Sequence, residues 1–258
     1  MALPSSGTIS LSMIQTEFGG ANPIALSEYY KNGPYVTATD YAPNVPTSGP
    51  IALSNFYGAA KTTLNTITYT TPGNYTFVIP TTLQGSITIL LVVGAGGGGG
   101  GSTFSGDGHG AANGGSGGYY QNVVIPGSAG GQAILLAVGQ GGAGVPAGAS
   151  SPGGVGQASF VNIPSIGYYL EAGPGGGGAG VFGDNNPAYG GPAGTPNGVA
   201  GSNNAFWMTN RNTAGTGYNG QGQNGTGYGD GGLGGNPSGP VPAGSDGASG
   251  FVQFQGYW

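Results

Sequence analysis

The 258-residue chain has no cysteine, one histidine and three cationic side chains, Lys31, Lys61 and Arg211, against eight acids. Each shortage excludes a class of chemistry. Without cysteine there is neither a disulfide framework nor a thiolate metal site. A lone His109 rules out metal centres and proton relays built on paired imidazoles. Three scattered cations cannot form the clustered basic face that neutralises phosphates, so nucleic acid is not an expected partner. The longest apolar run, 87–93, is broken by Thr88 and falls far short of the ~20 residues that a membrane-crossing helix needs. The first residues, Met1-Ala-Leu-Pro-Ser-Ser-Gly7, lack the charged and apolar regions of a secretory signal. The expectation is a soluble protein made in a cytoplasm, not membrane-embedded and without a cofactor.

Glycine is what the chain has in excess: 62 residues, alongside 19 prolines. Such a fraction without a strict Gly-X-Y period reads by default as low complexity. Disordered chains, however, combine low hydrophobicity with many like charges. Here 37% of residues are hydrophobic and only 4% charged, which predicts a folded chain held by its backbone more than by its side chains. Glycine is sparse up to residue 62, whereas 54 of the 165 residues after Val93 are Gly. Candidate strands at 66–71, 75–79, 86–93, 119–125, 132–138, 157–163, 168–171 and 250–255 are marked by alternation and by β-branched and aromatic residues. Pro72-Gly73 makes a turn between the first two, and the run 86–93 is expected to be buried on both faces. The predicted fold is mostly β: an N-terminal region with short helices over 1–62, then a β-sandwich or jelly-roll-like domain over 63–258.

Between the strands lie glycine tracts at 94–118, 139–156 and 172–247. Fixing the backbone of each residue costs roughly 1–2 kcal/mol, while one backbone hydrogen bond returns about 1 kcal/mol net. Ordered tracts therefore also need dispersion contacts between closely apposed main chains, which glycine permits, as in collagen. This predicts polyglycine-II-like helices packed and bonded to one another. Collagen itself is excluded, because glycine does not recur at every third residue over long stretches.

The first 62 residues contain a short repeat, seen at 8–14, 23–30 and 50–57. Each copy carries an Ile-x-Leu or similar pair, a Ser able to cap a helix, and apolar or aromatic residues soon after. Ser12 with Gln15 has capping-box spacing, and Gly19-Gly20, Asn32-Gly33-Pro34 and Gly58 stop the helices early. Units this small are expected to bury little surface alone and to dock on another protein. The docking candidates are Ile9, Leu11, Ile14, Phe18, Ile24, Leu26, Tyr29, Tyr30, Ile51, Leu53, Phe56 and Tyr57.

Several segments imitate catalytic or cofactor motifs. Gly94-Ala95-Gly96-Gly97-Gly98-Gly99 matches the dinucleotide fingerprint, which works only where it opens a helix. Gly100-Gly101-Ser102-Thr103-Phe104 cannot do so, Asp107 comes too early for the ribose, and the Walker Lys-Ser/Thr ending is absent. His109 with Asp107 and nearby serines could assemble a hydrolytic triad. Asp107, Glu171, Asp184, Asp230 and Asp246 are the acids from which a glycosidase pair would be drawn. Asp184-Asn185-Asn186 offers oxygens to a cation but lacks EF-hand spacing. Most of these acids sit in glycine-rich loops, where they serve turns and solubility, so no enzyme is expected and no catalytic residue or metal ligand is assigned.

The loops also carry aromatic residues: Phe104, Phe182, Tyr189, Phe206, Trp207, Tyr218 and Tyr228. Two readings stay open. They cap the ends and edges of a glycine bundle, or together with His109 they form a contact surface of large rigid rings among adaptable Gly, Asn and Ser. Such a surface suits sugars or the loops of outer-membrane proteins.

Two stretches resemble bacteriophage proteins. Residues 9–30, Ile-Ser-Leu-Ser-Met-Ile-Gln-Thr-Glu-Phe-Gly-Gly-Ala-Asn-Pro-Ile-Ala-Leu-Ser-Glu-Tyr-Tyr, resemble an N-terminal segment of tailed-phage virion proteins, often tail-fibre proteins, and Ile51-Ala-Leu-Ser-Asn-Phe-Tyr-Gly58 is its usual companion. The run 87–101, with Gly117-Gly-Tyr-Tyr-Gln121 and 137–144, is similar to the glycine-rich domain of phage and bacterial surface proteins. More distantly, it resembles the receptor-binding adhesins at the tips of T-even-type long tail fibres. That resemblance implies a polyglycine-II sandwich whose intervening segments, here 102–113, 181–197 and 202–219, make a distal binding tip. It further implies localisation in the virion, assembly in the host cytoplasm, other phage tail or fibre proteins as partners, and a host surface glycan or outer-membrane protein as receptor. Homo-oligomerisation is left open. So are a decorating or connecting role in a head fibre, baseplate or tail, and a depolymerase acting on surface polysaccharide.

Overall fold

The computed structural model describes residues 2–101, 113–146, 149–180, 189, 191–198, 228–232 and 243–258. Eight strands form within two residues of the predicted bounds: β1 Leu64–Tyr69, β2 Gly73–Val78, β3 Gln84–Val93, β4 Tyr119–Val124, β5 Ala133–Val138, β6 Ser159–Ile163, β7 Tyr168–Ala172 and β8 Phe251–Tyr257. They make two antiparallel four-stranded sheets, ordered β1-β8-β3-β4 and β2-β5-β6-β7. The turn at Pro72-Gly73 leads from one sheet to the other, since β1 pairs with β8 and β2 with β5. Between the sheets lie Ile79, Ile87, Ile89, Val92, Ile134, Leu136, Val161, Ile163 and Phe254, with Phe77 edge-on to Phe254 at 5.1 Å. In β3 the pairing register with β8 shifts between Ile89 and Leu91. A shift of this kind changes which residues face the core: Ile87 and Ile89 point inward, then Val92. Leu91 and Val93 turn outward and are buried there against Phe251 and Tyr119. Burial on both faces is thus confined to the end of the run, with Ser86, Thr88 and Leu90 half-exposed.

At residue 94 β3 continues directly into a fully buried main-chain segment, 94–101. Its N–H groups bond in rotation to three different partners. Gly94 and Gly97 donate to Gly118 and Gly115; Ala95 and Gly98 to Gln157 and Gly154; Gly96 and Gly99 to Ala248 and Ser245, all at 2.8–2.9 Å. Its carbonyls accept with the same step of three: Ala95 and Gly98 from Gly175 and Gly178, Gly96 and Gly99 from Gly142 and Val145, Gly97 from Gly232. The bonding partner thus changes at each residue and returns after three.

Six segments therefore surround 94–101, and each bonds to the next: 113–118, 173–180, 149–157, 139–145, 243–250 and 228–232, closing back on the first. An eighth segment, 189–198, lies outside this ring against 113–118 and 173–180. Neighbours around the ring alternate in direction. Glycine is required here for proximity: a Cβ on Gly97 would stand 2.0 Å from the Gly176 carbonyl oxygen, and one on Gly96 1.8 Å from that of Asp230. The sandwich and this bundle share their chain, because β3, β5 and β7 run up into it and β4, β6 and β8 descend from it.

The N-terminal region has its own core. Helix α1, Leu11–Phe18, and two 3-10 turns, Leu26–Tyr29 and Leu53–Phe56, bury Ile14, Phe18, Tyr29 and Phe56 together with Leu3, Val36, Ala42 and Val45. The Phe56 ring meets those of Phe18 and Tyr29 edge-on, both at 6.4 Å. Here two expectations are corrected. The cap of α1 is Ser10, whose side chain accepts from the Met13 N–H at 3.3 Å; Ser12 lies inside the helix. The 3-10 turns begin at Ala25 and Ala52, whose N–H groups donate to the side chains of Glu28 and Asn55 at 2.8 Å, so Ser27 and Ser54 do not cap. The buried carboxylate of Asp40 closes the region by accepting from the N–H groups of Thr37 at 2.7 Å and Thr62 at 2.9 Å.

Candidate functional site

Alternating direction decides where the connections between glycine segments go. Segments 94–101, 139–145, 173–180 and 228–232 run away from the sandwich, and 113–118, 149–157, 189–198 and 243–250 run back. Four connections, 102–112, 146–148, 181–188 and 233–242, therefore begin and end at the far end of the bundle. The connection 199–227 instead begins beside Pro196, which accepts from Tyr119 N–H at the first residue of β4. It ends beside Tyr228, next to Gly229, which bonds Ser249 just before β8. Both of its ends lie at the junction of bundle and sandwich.

This divides the predicted recognition residues into two groups. Phe104 and His109 belong to the connection 102–112 and Phe182 to 181–188; all three lie outside the described residues, as do Phe206, Trp207 and Tyr218. Tyr189 is described: its carbonyl accepts from Ala179 N–H at 3.0 Å and its side chain is 64% exposed at the far end. Tyr228 lies at the junction and packs on Phe251 with ring centroids 4.4 Å apart, leaving it 40% exposed. Of the segments expected to form one distal tip, 202–219 lies outside the described residues. Asn113 and 191–197 are not loop either: Asn113 is buried and accepts from Gly191, and Gly194 donates to Ser116.

Of the described candidate acids, Glu171 accepts from the Tyr169 hydroxyl on the sandwich, and the other two belong to the bundle. Asp230 is fully buried inside the bundle, and Asp246 accepts from the Gly144 N–H at 2.7 Å. Asp107 and Asp184 lie outside the described residues. Among the described residues no group of three His, Asp or Glu could hold a metal ion, and no helix is long and apolar enough to cross a membrane.

The docking candidates of the first 62 residues divide likewise. Ile14, Phe18, Tyr29 and Phe56 are 0–1% exposed and cannot meet a partner. Ile9, Leu11, Ile24, Leu26, Ile51 and Leu53 are half-buried and pack against the same core. Tyr30 and Tyr57 are half-buried, with hydroxyls donating to the carbonyls of Gly49 and Gly7. The three repeats bury their apolar residues against one another, so the expectation that they bury little by themselves does not hold. A further aromatic pair lies on the sandwich, the half-buried Phe160 and the exposed Tyr169. No protein-family model matches the chain, and no curated protein matches it.

Proposed function

We propose that the chain is a phage virion protein, at a tail fibre or fibre tip, that binds the host cell surface without catalysis. The observation that carries this reading is that the described residues flanking four connections gather at the far end of a bundle held almost wholly by main-chain bonds. Such a scaffold tolerates variation in its connections, because its rigidity does not depend on their side chains. The N-terminal unit, with a separate core, serves as the part joined to the particle, and its still accessible side chains make that contact. Individual contacts of Tyr, Asn and backbone groups with a glycan or an outer-membrane protein are weak, and several copies per particle raise the avidity.

The test is adhesion of the purified full-length protein to host cells and its competition with phage adsorption. Saturable adhesion that blocks adsorption is expected, with adhesion reduced when residues 102–112 are replaced by a Gly-Ser linker of equal length. Protein that neither adheres nor blocks adsorption overturns the proposal.

A further inference from the structure

We propose that the outer face of the β2-β5-β6-β7 sheet is a binding site for a neutral saccharide, with the rings of Phe160 and Tyr169 as its platform. The site is separate from the far-end connections and stands whether or not those bind a receptor. Register fixes its composition. In one row across the sheet Thr76 faces Leu135, Leu135 faces Asn162 and Asn162 faces Tyr169; in the next, Asn74 faces Ala137, Ala137 faces Phe160 and Phe160 faces Glu171. The alternate residues Phe77, Ile134, Leu136, Val161, Ile163 and Leu170 belong to the core, so the outward ones are not needed to hold the sheets together. Tyr169 is nevertheless 56% exposed and Leu135 37%.

The two rings lie side by side, centroids 5.8 Å apart and planes inclined by 31°. Beside them Ala137 is small, and an open cleft is lined by Asn74, Thr76, Leu135 and Phe160. The Tyr169 hydroxyl donates to Glu171 Oε2, which fixes the ring and leaves Glu171 Oε1 to accept from a ligand. A pyranose presents an apolar C–H face and a rim of hydroxyls. Flat rings with large contact area and a polar tip suit the first, and the side chains of Asn74, Thr76, Asn162 and Glu171 suit the second.

Charge selects among occupants. Of the three cations, Lys31 and Lys61 lie in the N-terminal region and Arg211 outside the described residues. Among the described residues the face therefore offers an acidic or sulfated sugar no counter-charge, only Glu171. A second copy of the chain docked face to face would bury that carboxylate with no cation among the described residues of the face to meet it.

The experiment titrates the full-length protein with glucose, galactose and N-acetylglucosamine hexasaccharides, followed by saturation-transfer NMR and calorimetry, with a heparin hexasaccharide for comparison. At least one neutral sugar is expected to bind and heparin not to. Tyr169→Ala and Phe160→Ala should each weaken binding by about tenfold or more, while Tyr169→Phe, which keeps the ring, should retain most of it. Because the outer face is not core, the variants should keep the wild-type circular dichroism; should the alanine variants misfold, Asn162→Ala and Asn74→Ala must weaken binding instead. The proposal is overturned if none of the three sugars binds, if folded variants bind as tightly as the wild type, or if sedimentation shows a dimer that Tyr169→Ala dissolves.

Discussion

At the scale of single residues, the glycines of the bundle and the buried tyrosines make the sharpest demands. A methyl group on Gly97 has only main chain to push against, since its nearest neighbours would be the Gly176 carbonyl oxygen at 2.0 Å and carbon at 2.3 Å. At Gly173 the same methyl would meet Thr195 at 3.1–3.4 Å. Gly97→Ala should therefore cost about 1–3 kcal/mol or more, as overpacking does, and Gly173→Ala distinctly less, an ordering that thermal melts of the two variants will check. The tyrosines respond to pH. Burial raises the pKa of Tyr69 and Tyr168, with smaller contributions from Tyr75 and Tyr120 respectively. Burial also raises that of Tyr29, helped by Tyr35 and Glu28. A folded-state pKa above the unfolded value near 10 means that the unfolded chain ionises first as pH rises. Stability is therefore complete below about pH 10 and falls above it. Melting temperatures at pH 8 and pH 11 should differ in that direction, and Tyr69→Phe should shrink the difference.

At the scale of elements, the strands were legible and their partners were not. Alternation in 75–79 and the apolar run 86–93 identify strands because a half-buried or buried pleat requires those residue types. Pairing is another matter. Leu64 faces Tyr257 and Tyr69 faces Val252, so β1 depends on residues at the opposite end of the chain, and no local signal reports that. The caps are hard to read for a related reason: Ser at a repeated position suggests a capping side chain, whereas Ala25 and Ala52 begin the 3-10 turns through their own N–H groups. Apolar spacing in the repeats correctly marked a face to be covered, but spacing is silent on whether the cover is another protein or another copy of the repeat. Asp40 joins these elements by tying Thr37 to Thr62. Asp40→Ala leaves the buried Thr62 N–H without its acceptor, which should cost about 1–3 kcal/mol, measurable by chemical denaturation of the full chain.

At the scale of the molecule, one apolar core gathers residues between Leu3 and Ala59 and another residues between Ile67 and Trp258. Thr63 and Trp258 exchange main-chain hydrogen bonds at 3.2–3.3 Å, so the sandwich begins and ends at one spot beside the N-terminal unit. Calorimetry should resolve two transitions, and Phe56→Ala, which empties a site 0% exposed, should lower one by about 3–5 kcal/mol while leaving the other in position. The far-end connections were recognisable as interruptions between glycine tracts. What composition could not supply was direction. Direction comes from the bonding order: 173–180 runs outbound, and 191–198 returns beside it. The order of bonding has a final consequence for biosynthesis. The innermost segment, 94–101, finds the acceptors for Gly96 and Gly99 in Ala248 and Ser245, and β8 lies between β1 and β3. A ribosome must therefore translate as far as Ala248 before the centre can close, and a nascent chain stopped short of residue 243 would expose unsatisfied amides at its heart.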